Sequence, residues 1–232
     1  MGMLEELYLP DTKRLNVMIA GQPGSGKSFY LEQTLKQFLR QNKSKLLRVV
    51  YVSPKHESIM GIEPIQAQDL EKHLKKERVA VIFPDPEDPA YEVDFVINKV
   101  FDIGDANEGF KGVVIIDDSQ TFLSSRKDAS SAFRRLTLTG RSRGIRGIFV
   151  AHAMILNKAL EGSIQHVLNF TLPQPMFFKD AQRRFGFDPA PHQDYLRNTQ
   201  YGYVWYEVTT DTVREMPAID PPRARKKSQA SQ

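Results

Sequence analysis

Cysteine is absent from this chain of 232 residues. The absence excludes a disulfide framework and a cysteine-ligated metal site, and it is compatible with a cytosolic setting without requiring one. Long apolar runs are also missing, and no stretch is apolar enough to span a bilayer. Residues 1–10 include two glutamates and no long apolar run, so we expect no secretory signal there.

The overall composition is that of an ordinary globular protein. Hydrophobic residues make up 41% and charged residues 26% of the chain, which is enough for a full core. The length suits one α/β domain, or one such domain with short additions. The formal net charge of +4 is mildly basic, which by itself only raises the chance of a polyanionic partner.

Strands and helices are predicted to alternate through most of the chain. Short continuous apolar runs predict strands at 14–20, 46–53, 78–83, 113–117 and 145–151. Helices are predicted between them, at 27–41, 65–76, 91–103 and 129–143, the last with a basic face. Apolar runs of this kind are typical of a parallel sheet that is buried on both faces. After residues 167–172, prolines break the pattern, and 200–210 is predicted to be extended.

A glycine-rich segment between the first strand and the first helix fits the pattern GxxxxGK[ST] in full. The segment consists of Gly21, Gln22, Pro23, Gly24, Ser25, Gly26, Lys27 and Ser28. Its glycines let several backbone N–H groups point at one phosphate, and the following helix N-terminus adds partial positive charge. We expect Lys27 to reach the β- and γ-phosphates of ATP and Ser28 to ligate magnesium, with Phe29 completing the nucleotide-binding set.

Two adjacent acids, Asp117 and Asp118, end the fourth predicted strand. A buried parallel strand delivers its last residues to the carboxyl edge of the sheet, where ligands bind in open α/β folds. We expect Asp117 to hold magnesium through water and Asp118 to polarise the attacking water. Taken alone, the pair also fits a plain Asp-Asp turn at a strand end. The phosphate-loop pattern upstream favours the functional interpretation.

The motifs together resemble those of the additional-strand ATPases. At least one strand separates the phosphate-loop strand from the acidic strand, the acid is doubled, and no DxxG motif follows it. This arrangement is similar to the RecA-like, AAA+ and FtsK–HerA types, and unlike GTPases or small-molecule kinases. The fold class predicted is therefore a RecA-like additional-strand P-loop NTPase, with a mostly parallel central sheet flanked by helices.

A more specific resemblance lies in the arginine-rich segment before the fifth strand. The segment contains Arg134, Arg135, Arg141, Arg143 and Arg146, and the fifth strand is followed by His152. An acidic strand, a helix closing in a Gly-Arg turn and an apolar strand ending in a polar residue resemble the genome-packaging ATPases of tailless icosahedral, membrane-containing viruses. Those enzymes belong to the FtsK–HerA superfamily. The resemblance covers residues 14–153 and is most specific at 139–152.

The resemblance implies a function and a set of roles. It implies ATP-driven translocation of double-stranded DNA into a viral capsid by a homo-oligomeric ring, a hexamer, acting with capsid or membrane vertex proteins in the host cytoplasm or the virion. An arginine of this turn would act on the neighbouring subunit's nucleotide, with Arg141 matching first and Arg143 second. Where the family often has glutamate and glutamine, this chain has Asp118 and His152. His152 is therefore either a phosphate sensor or a strand cap.

Several alternatives stay open at the level of sequence. The chain could instead be an ATPase for phage assembly or export, or a nucleotide or small-molecule kinase. Arg134 and Arg135 fit a solvated helix face or contacts to DNA phosphates. The aromatic residues near 201–206 fit strand packing better than base stacking. We divide the chain into an N-terminal segment at 1–13, a P-loop ATPase domain at 14–220 with its core at 14–172 and an extension at 173–220, and a disordered basic tail at 221–232.

Overall fold

The computed structural model describes residues 3–8, 16–123, 129–154, 161–172 and 174–219. The strands are β1 (Asn16–Ala20), β2 (Leu47–Val52), β3 (Val79–Ile82), β4 (Lys111–Ile116), β5 (Ile145–Ala151), β6 (Ile164–Asn169), β7 (Tyr203–Glu207) and β8 (Thr212–Met216). The α-helices are α1 (Met3–Tyr8), α2 (Lys27–Gln41), α3 (Leu70–Leu74), α4 (Pro89–Asp105), α5 (Ser119–Leu123), α6 (Ser131–Arg134), α7 (Met176–Phe185) and α8 (Gln193–Asn198). Among these described residues, none of the helices combines the length and apolarity needed to cross a bilayer.

The strands form one sheet in the order β3-β2-β4-β5-β1-β6-β7-β8. The six strands from β3 to β6 pair in parallel, whereas β7 and β8 add to the edge as an antiparallel hairpin. Strand β5 lies between β1 and β4, which is the placement that defines an additional-strand sheet. The carboxyl ends of β1, β4 and β5 therefore lie side by side on one edge of the sheet.

Alternate residues of the strands from β1 to β7 enter two separate cores. Val17 and Ile19 of β1 pack with α1 and α2 on one face, and Met18 and Ala20 pack with α3, α4 and α6 on the other. Because both faces are covered, nearly every position in the central strands must be apolar. This requirement explains the continuous apolar runs that predicted the strands, and the predicted fold class is confirmed.

Two predicted elements match the structure at both ends, and the bounds of the others differ. Helix α2 and strand β5 have the predicted bounds. The helix predicted at 65–76 is shorter: Ile65 makes a bridge to Ile82 beside β3, and helical geometry begins only at Ala67, in a 3₁₀ turn before α3. The antiparallel hairpin replaces the single extended segment predicted at 200–210, because β7 ends at Glu207 and the chain turns into β8.

The segment predicted as one helix at 129–143 is instead three short helical pieces. After α6 the chain forms a π-helical turn, Arg135–Thr139, and then a 3₁₀ turn, Gly140–Arg143. The Thr137 hydroxyl donates to the Phe133 carbonyl at 2.9 Å, a local bond that competes with regular helix geometry. A Cβ on Gly140 would lie 2.7 Å from the Ile145 carbonyl oxygen, so the tight approach to β5 requires glycine.

Several predictions lie outside the described residues. They concern the disordered basic tail at 221–232, the first two residues of the predicted 14–20 strand and most of the 1–13 segment. In that last segment only α1 is described, and its carbonyl at Leu7 accepts a hydrogen bond from the buried Arg146 guanidinium at 3.0 Å. Arg146 therefore ties α1 to β5.

Candidate nucleotide-binding site

The glycine-rich segment forms a loop between β1 and α2, at the carboxyl edge of the sheet. Backbone hydrogen bonds connect the start of this loop to the ends of the two strands beside β1. Gly21 N–H donates to the Ala151 carbonyl, at the end of β5, at 3.2 Å, and Gln22 N–H donates to the Thr171 carbonyl, just after β6, at 2.7 Å. Gly24 and Gly26 have φ of +77° and +98°, values that favour glycine. No atom lies within 4 Å of a Cβ built on Gly24, so the backbone there is open to a ligand.

Lys27 begins α2 and lies buried under the loop. Its ammonium donates to the carbonyl oxygens of Gly21 at 2.5 Å and Gln22 at 2.9 Å. Burial lowers the pKa of Lys27; the carboxylates of Asp117 and Asp118 oppose the shift, and the positive charge of Lys55 adds to it. The ammonium thus sits inside the loop, between the phosphate-binding backbone and the acidic strand end.

Asp117 and Asp118 follow β4 and point into different surroundings. Asp117 Oδ2 accepts from the Tyr51 hydroxyl at 3.1 Å, and its Oδ1 accepts from the Asp118 N–H at 2.9 Å. Burial raises the pKa of Asp117, although these hydrogen bonds favour the carboxylate. Asp118 has φ of +49°, a left-handed conformation that costs a non-glycine residue free energy. Its buried Oδ1 has no hydrogen-bond partner among the described residues.

His152, directly after β5, lies beside this free carboxylate oxygen. Its Nε2 is 3.6 Å from Asp118 Oδ1, a charged pair only when the imidazole is protonated. The His152 backbone N–H donates to Gln120 Oε1 at 3.1 Å, which connects β5 to α5. The side chain is 43% exposed, so it is accessible to a ligand in the cavity and is also in position to cap the strand. The two roles predicted for His152 both remain predictions.

These groups line one cavity of about 570 Å³. Its lining residues are Pro23, Gly24, Gly26, Lys27, Ser28, Phe29, Lys55, Asp117, Asp118, His152 and Tyr201. The open backbone at Gly24, the buried ammonium of Lys27 and the carboxylate oxygen of Asp118 that accepts no hydrogen bond from the described residues fit a bound triphosphate with its metal. Ser28 and Asp117 are the oxygen ligands that could hold Mg²⁺. In the described ranges, no group of three acidic or histidine side chains is arranged to hold a metal ion by itself, and a magnesium site completed by phosphates and water needs none.

Two residues of this cavity were missed by the sequence analysis. Lys55 follows β2, whose carboxyl end lies beside Asp117, and the rule that ligands gather at this edge could have found it. Tyr201 precedes β7, whose antiparallel direction was not foreseen, so no sequence signal placed it at the same edge. Lys55 reaches the site from β2, which neighbours the acidic strand β4, and Tyr201 reaches it from β7, which is separated from β1 by β6.

The arginines of the 3₁₀ turn lie away from this cavity. Arg141 and Arg143 precede β5, whose far end carries His152; seven residues of strand separate the turn from the site by ~20 Å. Arg143 donates to Asp105 at 2.6 Å, whereas Arg141 is exposed and makes no side-chain pair among the described residues. Arg135 also reaches Asp105, at 3.4 Å, and stacks on Phe101, so it fixes the turn to α4.

Comparison with known proteins finds relatives in structure only. No family model matches the chain, and no curated protein matches it. The fold is similar to that of B204, the DNA-packaging ATPase of Sulfolobus turreted icosahedral virus, with a TM-score of 0.72 and 17% identity over 91% of this chain and 100% of that one. The B204 genome-packaging NTPase of Sulfolobus turreted icosahedral virus 2, in complex with ATP-γ-S, has a TM-score of 0.71 and 14% identity over 90% of this chain and 99% of that one.

A third solved structure is also similar. VirB4 of Thermoanaerobacter pseudethanolicus has a TM-score of 0.61 and 12% identity, over 89% of this chain and 90% of that one. The chain therefore has the fold of these ATPases, and the predicted resemblance to genome-packaging ATPases is confirmed at the level of the fold.

Proposed function

We propose that this chain hydrolyses ATP and uses the free energy to translocate double-stranded DNA, as a ring that packages a viral genome into a preformed capsid. The observation that carries the hydrolytic part is Asp118. Its carboxylate oxygen Oδ1 is buried, has no hydrogen-bond partner among the described residues and is held by a strained backbone, in the cavity that the phosphate loop lines. A group kept in this state at a cost in stability is typical of a catalytic site.

The lining residues can divide the chemistry of hydrolysis between them. The loop backbone and Lys27 bind the phosphates, and Lys27 must exchange its bonds to the Gly21 and Gln22 carbonyls for phosphate oxygens. Ser28 and Asp117 would hold magnesium, which when bound neutralises charge on the β- and γ-phosphates. Asp118 accepts a proton from a water molecule while the oxygen of that water attacks the γ-phosphorus. The bond to the β–γ bridging oxygen breaks, giving ADP and inorganic phosphate.

The DNA-translocating part is supported by the resemblance to packaging enzymes and by charge. B204 is a DNA-packaging ATPase of the same fold, and it is matched along its whole length. The net charge of +4 suits a polyanion bound through its phosphates. Packaging would take place in the host cytoplasm, at a vertex of the virion, against capsid or membrane vertex proteins.

Substitution of Asp118 tests the hydrolytic role. Asp118→Asn keeps the size of the side chain and removes its basicity, so we expect ATP hydrolysis to fall by ~10²–10⁴-fold while ADP binding persists. Asp194→Asn is the matched control, because that side chain is 92% exposed and lies on α8. Hydrolysis by Asp118→Asn at the wild-type rate would refute the assignment of Asp118 as the residue that activates water.

Stimulation by DNA separates translocation from the second candidate, an ATPase for assembly or secretion. The fold is also similar to the cytoplasmic domain of the type VII secretion ATPase EccC of Thermomonospora curvata, with a TM-score of 0.59 and 14% identity over 89% of this chain and 26% of that one, and this similarity favours the second candidate. We expect duplex DNA to raise the rate of ATP hydrolysis per subunit, and the stimulation to weaken steeply as salt rises, because contacts to phosphates release counterions. A rate that DNA leaves unchanged at low salt would contradict translocation and favour the secretion-type role.

A further inference from the structure

Two aromatic side chains stand exposed at the mouth of the nucleotide cavity. Phe29, in the first turn of α2, is 39% exposed, and Tyr201, just before β7, is 47% exposed. Their ring centroids are 6.5 Å apart and the rings are inclined by 38°. Both rings line the same cavity as Lys27 and Asp118. An exposed pair of large apolar rings beside a polar site is a surface that suits a flat, partly apolar ligand.

The backbone holds Tyr201 in this place at a cost. Gly202 N–H donates to the Thr199 carbonyl at 2.9 Å, which closes a four-residue turn. Tyr201 is the third residue of that turn, with φ of +60°, a position and conformation that usually belong to glycine. Its ring covers Gly26, where a Cβ would lie 2.8 Å from Tyr201 Cδ1. The strain thus keeps an aromatic ring directly on the phosphate loop.

The residue two positions after Tyr201 fixes the turn to the sheet. Tyr203 is buried and stacks on Phe170, with centroids 5.3 Å apart and planes inclined by 24°. Phe170 directly follows β6, and its N–H donates to the Ala20 carbonyl at 2.8 Å, at the end of β1. Tyr201 is therefore positioned by the same strand end that carries the phosphate loop.

The order of the strands sets which end of a nucleotide meets these rings. On one side of β1 lie β5 and then β4, which is followed by Asp118; on the other side lie β6 and then β7, which Tyr201 precedes. In the hydrolysis proposed above, the γ-phosphate faces Asp118. The nucleoside end of the ligand then points toward the opposite side of the loop, where Phe29 and Tyr201 are exposed.

We propose that Tyr201, with Phe29, forms the base-binding surface of the nucleotide site and holds the purine by stacking on its face. This inference rests on the proposed nucleotide-binding function. An aromatic ring contacts the face of a base and leaves its hydrogen-bonding edge unread, so the contribution of Tyr201 is the same for adenine and guanine. Stacking of a base on an aromatic side chain amounts to ~5- to 150-fold in affinity.

Paired ligands with and without a base test the proposal in the full chain. With magnesium present, we would measure the binding of ADP, GDP and inorganic pyrophosphate by calorimetry. Tyr201→Ala is expected to weaken ADP and GDP binding alike, by ~10-fold or more, and to leave pyrophosphate binding within ~2-fold. Tyr201→Phe keeps the ring and should bind all three as the wild type does. Tyr91→Ala, at an exposed tyrosine on α4, is the matched control.

Each other result has a defined meaning. Three results for Tyr201→Ala would each overturn the proposal: unchanged ADP binding, weaker binding of ADP but not of GDP, or an equal loss of pyrophosphate binding. The last result would mean that the Tyr201 ring only supports the conformation of the loop at Gly26. A wild-type protein that binds neither ADP nor pyrophosphate would instead refute the nucleotide-binding function itself. Thermal melting of each variant, measured alongside, shows whether the protein is folded.

Discussion

Asp117 and Asp118 are neighbours in sequence, and their roles are separated by what surrounds each carboxylate. Asp117 is oriented by the Tyr51 hydroxyl and by a backbone N–H, whereas Asp118 keeps a buried oxygen without a hydrogen-bond partner among the described residues. The sequence could predict that both acids reach the carboxyl edge of the sheet. It could not predict the positive φ of Asp118, because that conformation depends on the turn into α5 rather than on the residue type.

Replacement of Asp117 should stabilise the ligand-free protein while weakening magnesium binding. Burial raises the pKa of Asp117, which means that the folded protein favours the protonated carboxyl group. This contribution to stability is fully present below the pKa of the unfolded state, about 4, and is lost as pH rises through the pKa of the folded state. At pH 7 the buried charge therefore opposes folding. Asp117→Asn removes that charge and still offers an oxygen to Tyr51.

The measurement is the melting temperature with and without Mg²⁺ and ADP. Without ligand, we expect Asp117→Asn to melt above the wild type at pH 7, by ~2–4 °C for each kcal/mol gained, and the difference to shrink as pH falls toward 4. With both ligands, the wild type should gain more than the variant, because stabilisation follows binding to the folded state. A lower melting temperature for the ligand-free variant at pH 7 would show that the hydrogen bonds outweigh burial.

At the scale of elements, the sequence predicts what is set by burial and by local chain geometry. The bounds of α2 follow from the glycine before Lys27 and from the spacing of the apolar residues in the helix. The bounds of β5 follow from a continuous apolar run. The three-part helical segment before β5 could not be predicted, since it depends on hydroxyl bonds of Thr137 and on the contact between Gly140 and β5. The β7–β8 hairpin likewise depends on pairing with β6, which is distant in the chain.

Gly140 provides a test of the close approach of the 3₁₀ turn to β5. In Gly140→Ala the new Cβ would lie 2.7 Å from the Ile145 carbonyl oxygen, a backbone atom that can move only with the strand. We expect the free energy of unfolding, from urea denaturation, to fall by ~1–3 kcal/mol. Gly162→Ala is the control, because no atom lies within 4 Å of a Cβ there, and it should change stability by less than ~0.5 kcal/mol. Equal stability of the two variants would mean that the turn stands further from β5.

At the scale of the whole molecule, the two arginines of the 3₁₀ turn lie too far from the nucleotide cavity of the same chain to act on a ligand there. The length of β5 places them ~20 Å from the site. Arg143 is held by Asp105, whereas Arg141 is exposed and makes no side-chain pair among the described residues, so the geometry favours Arg141 for contact with another molecule. An arginine supplied to the transition state of phosphoryl transfer is worth ~10³–10⁵ in rate.

A ring in which Arg141 serves the neighbouring subunit makes a prediction about mixtures. Arg141→Ala should bind ADP normally and lose turnover, whereas Arg143→Ala, which breaks only an exposed ion pair, should keep turnover and lose less than ~1 kcal/mol of stability. Lys27→Ala should be inactive because its own site lacks the ammonium group that binds the β- and γ-phosphates. When the two inactive proteins are mixed, an intact site in an Arg141→Ala subunit can meet an intact arginine from a Lys27→Ala subunit. Part of the ATPase activity should return, and inactive mixtures in rings shown to contain both subunits would exclude Arg141 as a residue acting between subunits.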